Sequence, residues 1–371
     1  MNKIRPVISQ SRHLRDLDKS AQDFLHAVDL MNETSRELPP VRAAGAGLVP
    51  AWRAWVQALE HRDGAQHDEL HLSGRADFQT QSAGNAAFRL TIEALRVHHP
   101  AMLDALSGND LKRRATLTQC AALYQVRPHA VIEPTDALQT WLAHTDIGND
   151  VPASLVRLPF PAVFIRFGPE MARAVDASLW ADISHPIQTR GVYVFETVRH
   201  DRRELYFLVV GVPPGHVEEQ PRGLQIAFTD EGESVSAQVL DLEDRSGFVD
   251  SSCLGMVQMC LKVLLYMQTV GAVRIDDLRH HEIAARLGRV GGKKASKLER
   301  RLASRYNRII VGPSHIIHHS PSEVSPHWRR GHMRMQAHGP QFSLRKLMFI
   351  APTLIRADRL NEAGATVQRA Q

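Results

Sequence analysis

Residues 191–212 read G-V-Y-V-F-E-T-V-R-H-D-R-R-E-L-Y-F-L-V-V-G-V. Two runs rich in β-branched and aromatic residues, 191–198 and 204–212, flank the charged segment 199–203, the pattern of two strands joined by a polar turn. The same texture continues outward. Residues 163–167, 224–229 and 236–240 are short, apolar and bounded by turn chemistry such as Pro213-Pro214-Gly215. No helical period separates these runs, so they predict an antiparallel meander and not the parallel sheet of a nucleotide-binding fold. Residues 251–271 then supply one apolar helix long enough to lie across that sheet. Further strands are expected at 308–312, 315–319, 327–335 and 345–350.

The N-terminal third has a different period. Leu14, Leu17, Ala21, Phe24, Leu25 and Val28 recur at three and four, as on an amphipathic helix. Trp52, Trp55, Val56 and Leu59 mark a second helix, and Phe88, Ile92 and Leu95 mark a third that ends before Pro100. Residues 137–144 predict another short helix, and the Pro/Gly/Ala-rich 38–50 reads as a linker. The expected organisation is an all-helical N-terminal region over 1–145 and an α+β domain over 146–371. In that domain an antiparallel sheet is covered by one apolar helix and followed by basic C-terminal strands. No internal repeat is present.

At 371 residues, 43% hydrophobic and 23% charged, the chain has the composition of a soluble globular protein. Residues 1–16 contain no apolar run that could form a signal-peptide core. The most apolar stretch, 255–272, is interrupted by Gln258, Lys262 and Gln268, which fits a buried helix better than a membrane span. Cys120, Cys253 and Cys260 form no C-x-x-C pair, so neither a disulfide framework nor a cysteine zinc site is indicated. These features predict a cytoplasmic protein without a cofactor. The net charge of +5 is polarised: residues 271–371 hold 19 Lys plus Arg against 7 Asp plus Glu, or +12, and the rest holds 26 against 33, or −7. A basic end of this kind suits a polyanion, because each neutralised phosphate releases counterions.

Several motifs invite a chemistry that their spacing denies. In His67-Asp-Glu-Leu-His71 the glutamate does not directly follow the first histidine, so the zinc-protease pattern fails and an exposed polar helix is expected. Residues 288–294, G-R-V-G-G-K-K, lack the Ser or Thr of a phosphate loop. They read as the start of a flexible basic loop, about 288–301, in which Lys293, Lys294, Lys297, Arg300 and Arg301 could follow a nucleic-acid backbone. Cys253 and Cys260, seven apart, belong on the buried stripe of the apolar helix. Asp241, Glu243, Asp244, Asp276 and Asp277 have no spacing diagnostic of a metal site.

Residues 325–352, S-P-H-W-R-R-G-H-M-R-M-Q-A-H-G-P-Q-F-S-L-R-K-L-M-F-I-A-P, crowd cations and imidazoles around one glycine. On a continuous strand His327, Arg329, Gly331 and Met333 face one way, and Trp328, Arg330, His332 and Arg334 the other. Arg330, His332 and Arg334 would then form a cationic row suited to a phosphodiester or a peptide carboxylate. Gly331 would mark a bulge or close approach by a ligand, and Trp328 would either stack on a base or pack in the core. Arg345 and Lys346 extend the candidate binding set. No catalytic residue is assigned. Pairing of these cations with acidic residues of the sheet is the structural alternative.

The order P-H-x-R-R-G-H at 326–332, then a glycine-containing turn, then a basic-to-apolar strand ending in x-P, resembles the C-terminal signature of a type V-A anti-CRISPR family. Residues 158–167 and 191–197 resemble that family's first core strands, and 256–272 its long apolar helix. The likeness departs at 333–335, where the family is more aromatic, and in the longer N-terminal region here. The resemblance implies a phage or plasmid protein that recognises the nascent N-terminal peptide of a CRISPR effector nuclease and causes loss of its mRNA. Its partners would be a nascent polypeptide and the translating mRNA and ribosome, with RNA contact possible and no membrane. Two rival classes follow from the residues themselves. One is an RNA-acting or DNA-acting, nuclease-like enzyme, of ribonuclease type first, using His327 and His332 with the arginines; the other is a protein-binding regulator whose basic tail docks an acidic partner.

Overall fold

The computed structural model describes residues 7–32, 37–73, 80–213, 220–239, 251–287, 289–290, 294, 298, 306–315 and 327–355. Helices α1 (Val7–Met31), α2 (Pro39–Gly45), α3 (Leu48–Asp63), α4 (Thr80–His98), α5 (Pro100–Ala105) and α6 (Gly108–Val126) come first. The amphipathic stripes read from the sequence meet in one core of Phe24, Trp52, Trp55, Leu59 and Leu90. Burying two tryptophans requires partners for their N–H groups. Trp52 Nε1 donates to Leu70 O (2.8 Å) and Trp55 Nε1 to Leu90 O (3.2 Å). Residues 38–50, expected as a linker, instead form α2 and the start of α3: Pro39 and Pro40 sit in the first turn, where the missing N–H costs nothing. Gly47, in the left-handed region, turns the chain between the two helices.

The all-helical expectation for 1–145 fails at strand β1 (His129–Pro134). Helix α7 (Asp136–Ala143) follows, begun by Thr135, whose hydroxyl accepts from Leu138 N at 3.2 Å. Thr135→Ala is expected to cost about 1 kcal/mol in a chemical-denaturation experiment. Beyond lie β2 (Thr145–Ile147), β3 (Ala162–Arg166), α8 (Pro169–Leu179), β4 (Gln188–Arg199), β5 (Arg202–Val212) and β6 (Gln220–Ala227). The chain continues through α9 (Leu254–Tyr266), β7 (Arg274–Asp277), α10 (Arg279–Leu287) and β8 (Arg308–Val311). It ends in β9 (His327–Arg329), β10 (Gly331–His338), β11 (Leu344–Ile350) and β12 (Thr353–Ile355).

The fold is α+β. Seven strands form the main sheet in the order β6-β5-β4-β3-β1-β8-β7. Strands β3 to β6 are antiparallel neighbours as expected, but α8 lies between β3 and β4, so the uninterrupted meander runs only from β4 to β6. Its β4–β5 turn places His200 and Asp201 at positive φ, the conformation that matches strand twist in a two-residue hairpin. At β1 the sheet becomes parallel, because β1 runs alongside both β3 and β8. The strand expected over 236–240 is not formed at 236–239: residues 235–239 are helical, and residue 240 lies outside the described residues. Strands 308–312 and 345–350 are present as β8 and β11, and of 315–319 only His315 is described.

The sheet is covered on both faces, not by one helix on one face. Val163, Ile165, Val192, Val194, Phe207 and Val209 pack in one core with α7, α8 and α9. Their neighbours Phe164, Tyr193, Phe195, Leu208 and Val210 pack against Cys120, Leu123 and Tyr124 of α6. This alternation is why strands buried on both sides read as continuous apolar runs. Cys253 and Cys260 lie in the first core, as the helical spacing predicted, and burial pushes the Cys260 thiol pKa upward. Glu133 near the end of β1 is buried, yet accepts from Arg308 (2.6 Å) and Tyr306 (3.1 Å) and lies 3.5 Å from Arg166. Across β5, the guanidinium of Arg203 grips Glu231 with two bonds and donates to the carbonyls of Ala153 and Val156. That fastens segments 151–156 and 228–239 to the sheet.

Candidate binding site on the C-terminal sheet

A second sheet, ordered β11-β10-β2, projects from the core. β10 and β11 form an antiparallel hairpin in which Met333 faces Phe349 and Met335 faces Leu347. Met333 and Leu347 are buried in the main core, and Met335 and Phe349 pack against it. The opposite face carries His332 and Arg334, with Ile350 and Met348 across from them and Lys346 across from Gln336. From residue 326 to residue 357 the chain has no acidic residue, so the acids beside this hairpin come from elsewhere in the chain: Asp146 of β2 pairs with His332, and Asp150 accepts from Met335 N at 3.0 Å.

The predicted strand over 327–335 is interrupted at Arg330, which separates β9 from β10. The cationic row is thereby divided. His332 and Arg334 remain together, half-buried and exposed respectively, and Arg334 donates to Gln336 at 3.0 Å. Arg330 instead reaches Asp146 of β2 with contacts of 2.9 and 3.0 Å to its two oxygens. The cause of the break is visible at Gly331. Its N–H donates to His144 O (2.9 Å), and a Cβ there would stand 2.6 Å from Ile350 O and from Pro352 Cδ. The close approach assigned to a ligand is made by the chain's own backbone.

Trp328 stacks on His144, with ring centroids 4.6 Å apart and planes 14° from parallel. That contact occupies one of the faces a base would need. Arg329 is exposed in β9 opposite Thr353, and His327 lies in β9 opposite Ile355. Arg345, opposite Ala337, is exposed, and Lys346 is half-buried. Of the expected basic loop, Lys294 and Leu298 are helical and Lys294 is exposed, and Lys293, Lys297, Arg300 and Arg301 lie outside the described residues.

The residues 67–71 form a 3-10 turn instead of an α-helix. His67 binds Asp63 (2.9 Å) and His71 binds Glu60 (2.7 Å). Arg62, and after it His67, hold the Asp63 carboxyl down at about 2. Among the described residues no group of three or more His, Cys, Asp or Glu could hold a metal, and no helix is long and apolar enough to cross a membrane.

Sequence reasoning missed a pocket of about 210 Å³ behind the Arg330–Asp146 pair. Ile147, Val235, Val239 and Leu261 wall it, and Gln258 and Lys262 of α9 enter it one helical turn apart. Lys262 Nζ donates to Leu142 O (3.2 Å), one of the last carbonyls of α7. Burial lowers the Lys262 pKa, Asp146 opposes that shift and Arg330 adds to it. His144 is likewise lowered, by burial first and then by Arg330. The available signal was the pair Gln258 and Lys262, polar residues four apart on an otherwise apolar helix.

An α+β protein with a basic, acid-free C-terminal hairpin is the class that this geometry defines. The family model described as AcrVA2-like, anti-CRISPR type V subtype A2, matches residues 132–357. The chain belongs to that anti-CRISPR family. The match begins inside β1 and ends just after β12, so it spans the main sheet, α9 and the C-terminal sheet and leaves out helices α1 to α6. The chain is also similar to the solved structure of AcrVA2, at 11% identity and a TM-score of 0.42 over 85% of this chain and 96% of that one. No curated protein matches it.

Proposed function

We propose that this protein suppresses expression of a CRISPR effector nuclease by recognising its nascent chain and promoting loss of its mRNA. The observation carrying this reading is the family match over 132–357, which takes in every described residue of the C-terminal hairpin. The hairpin's chemistry supports it. Arg334 and Lys346, with His332, share one face of the hairpin and offer a polyanionic surface cationic groups with no acidic residue in the strand sequence. A translating ribosome with its mRNA is such a surface.

The test is a reporter carrying the first codons of an effector nuclease, expressed with and without this protein. Synonymous recoding of those codons is expected to leave the loss of mRNA intact, and a compensated frameshift through them to abolish it. The opposite pattern would mean that the RNA sequence, not the peptide, is recognised. Degradation of labelled RNA by the purified protein without translation would instead place it among ribonucleases. Independently, filter binding of RNA is expected to weaken steeply between about 50 and 200 mM salt, because the affinity comes from counterion release. A salt-insensitive interaction would overturn that source.

A further inference from the structure

We infer that the pocket between α9 and β2 is a binding site for a small aliphatic carboxylate, held by Lys262. The argument begins with charge. Asp146, the acidic residue at the pocket, is already engaged at both oxygens by Arg330. The Lys262 ammonium has no carboxylate within ion-pair distance among the described residues. The hydrogen bond recorded for it goes to a neutral carbonyl. The C-terminal end of α7, where that carbonyl lies, favours a cation but does not neutralise it. A partly buried ammonium with unused donors is a site for an anion, because the anion restores the charge balance that burial disturbs.

Shape and lining select the kind of anion. Ile147 is half-buried and Val235, Val239 and Leu261 are buried, so much of the lining is apolar. Asn149, Ser236 and Gln258 supply neutral polar groups at the rim. A volume of about 210 Å³ equals the liquid share of roughly seven waters. It lies below the range of roughly 300 to 1,000 Å³ usual for drug-sized ligands. The fit is therefore a branched aliphatic acid of five or six carbons, or the carboxyl end of a peptide finishing in leucine or valine. This inference stands apart from the nascent-chain reading, since a chain still esterified to tRNA has no free carboxyl end to offer Lys262.

The full-length protein should be titrated calorimetrically with 4-methylpentanoate, 4-methylpentanamide and 3-methylbutylamine. The acid is expected to bind at least about tenfold more tightly than the amide or the amine, as a charge-assisted hydrogen bond requires. Lys262→Met should remove that preference, and Ser236→Phe, which fills the pocket and leaves the charge in place, should remove binding. A melt of each variant checks folding, so that either one suffices if the other does not fold. Ala-Ala-Leu with a free or amidated carboxyl end separates the sources. Binding of the free peptide alone among the peptides assigns the site to chain ends, and binding of the acid alone assigns it to a metabolite-sized acid. Equal binding of acid, amide and amine, retention of the acid preference in folded Lys262→Met, or no binding by any probe would overturn the inference.

Discussion

Leu264→Ala is expected to lower the free energy of unfolding by about 3 to 5 kcal/mol, and Leu261→Ala, three residues earlier on the same helix, by about 2 to 3 kcal/mol. Both side chains are buried in the core that α9 shares with the main sheet. Deleting three carbons from either forfeits the transfer energy of the removed atoms and leaves a cavity. The difference between them is geometric. Leu261 lines the pocket, so the space it vacates joins a volume that already exists, whereas Leu264 is fully buried and is not part of the pocket lining. Urea denaturation of the two variants, analysed with a common slope, measures the gap. Equal costs would show that the pocket is not continuous with the Leu261 side chain.

Arg330→Ala combined with His332→Ala is expected to abolish suppression of the target while the melting temperature stays nearly unchanged. The Arg330 side chain is 75% exposed and its partner Asp146 59% exposed, and an ion pair so wetted contributes roughly 0 to 1 kcal/mol. Loss of expression control without loss of stability would mark the pair as part of the functional surface. Asp146→Asn is the necessary companion, because it removes the same ion pair and keeps the arginine. If Asp146→Asn abolishes suppression as fully as the double variant, the pairing itself matters and not the cation. If the double variant still suppresses, the functional surface lies elsewhere.

The strands β3 to β5 were legible because each is a compact run of β-branched and aromatic residues bounded by polar turns, a signal contained within its own residues, whereas β6, Q-P-R-G-L-Q-I-A, was legible only from Leu224 onward. β1 was not. Its residues 129–134, H-A-V-I-E-P, include a carboxylate and a proline, and one of its two partners, β8, lies far along the chain. β7, Arg274–Asp277, has one apolar side chain and that one is exposed, so its strand character comes from pairing with β8. The error at 235–239 has a simpler origin. Val235 and Val239 are four apart, which places them on one face of a strand and equally on one face of a helix, and both are buried in either case. In the candidate site, the composition of 325–352 located the cationic hairpin, but one residue of discontinuity at Arg330 redistributed its side chains. The pocket draws on β2, α9 and the residues near 235–239, an arrangement that no local spacing encodes.

The position of β1 between β3 and β8 in the main sheet dictates an order of events during synthesis. Its contact with β3 is available early, but Asn307 meets His129 across 178 positions of sequence. β8 cannot dock until nearly all of the chain has left the ribosome. Until then one flank of β1 is an open edge, with Val131 and Glu133 lacking the neighbours that bury them. Such long-range closure slows folding and prolongs the exposure of a sheet edge. A protein proposed to act on the unfinished chains of others thus has a sheet that stays unfinished through most of its own translation.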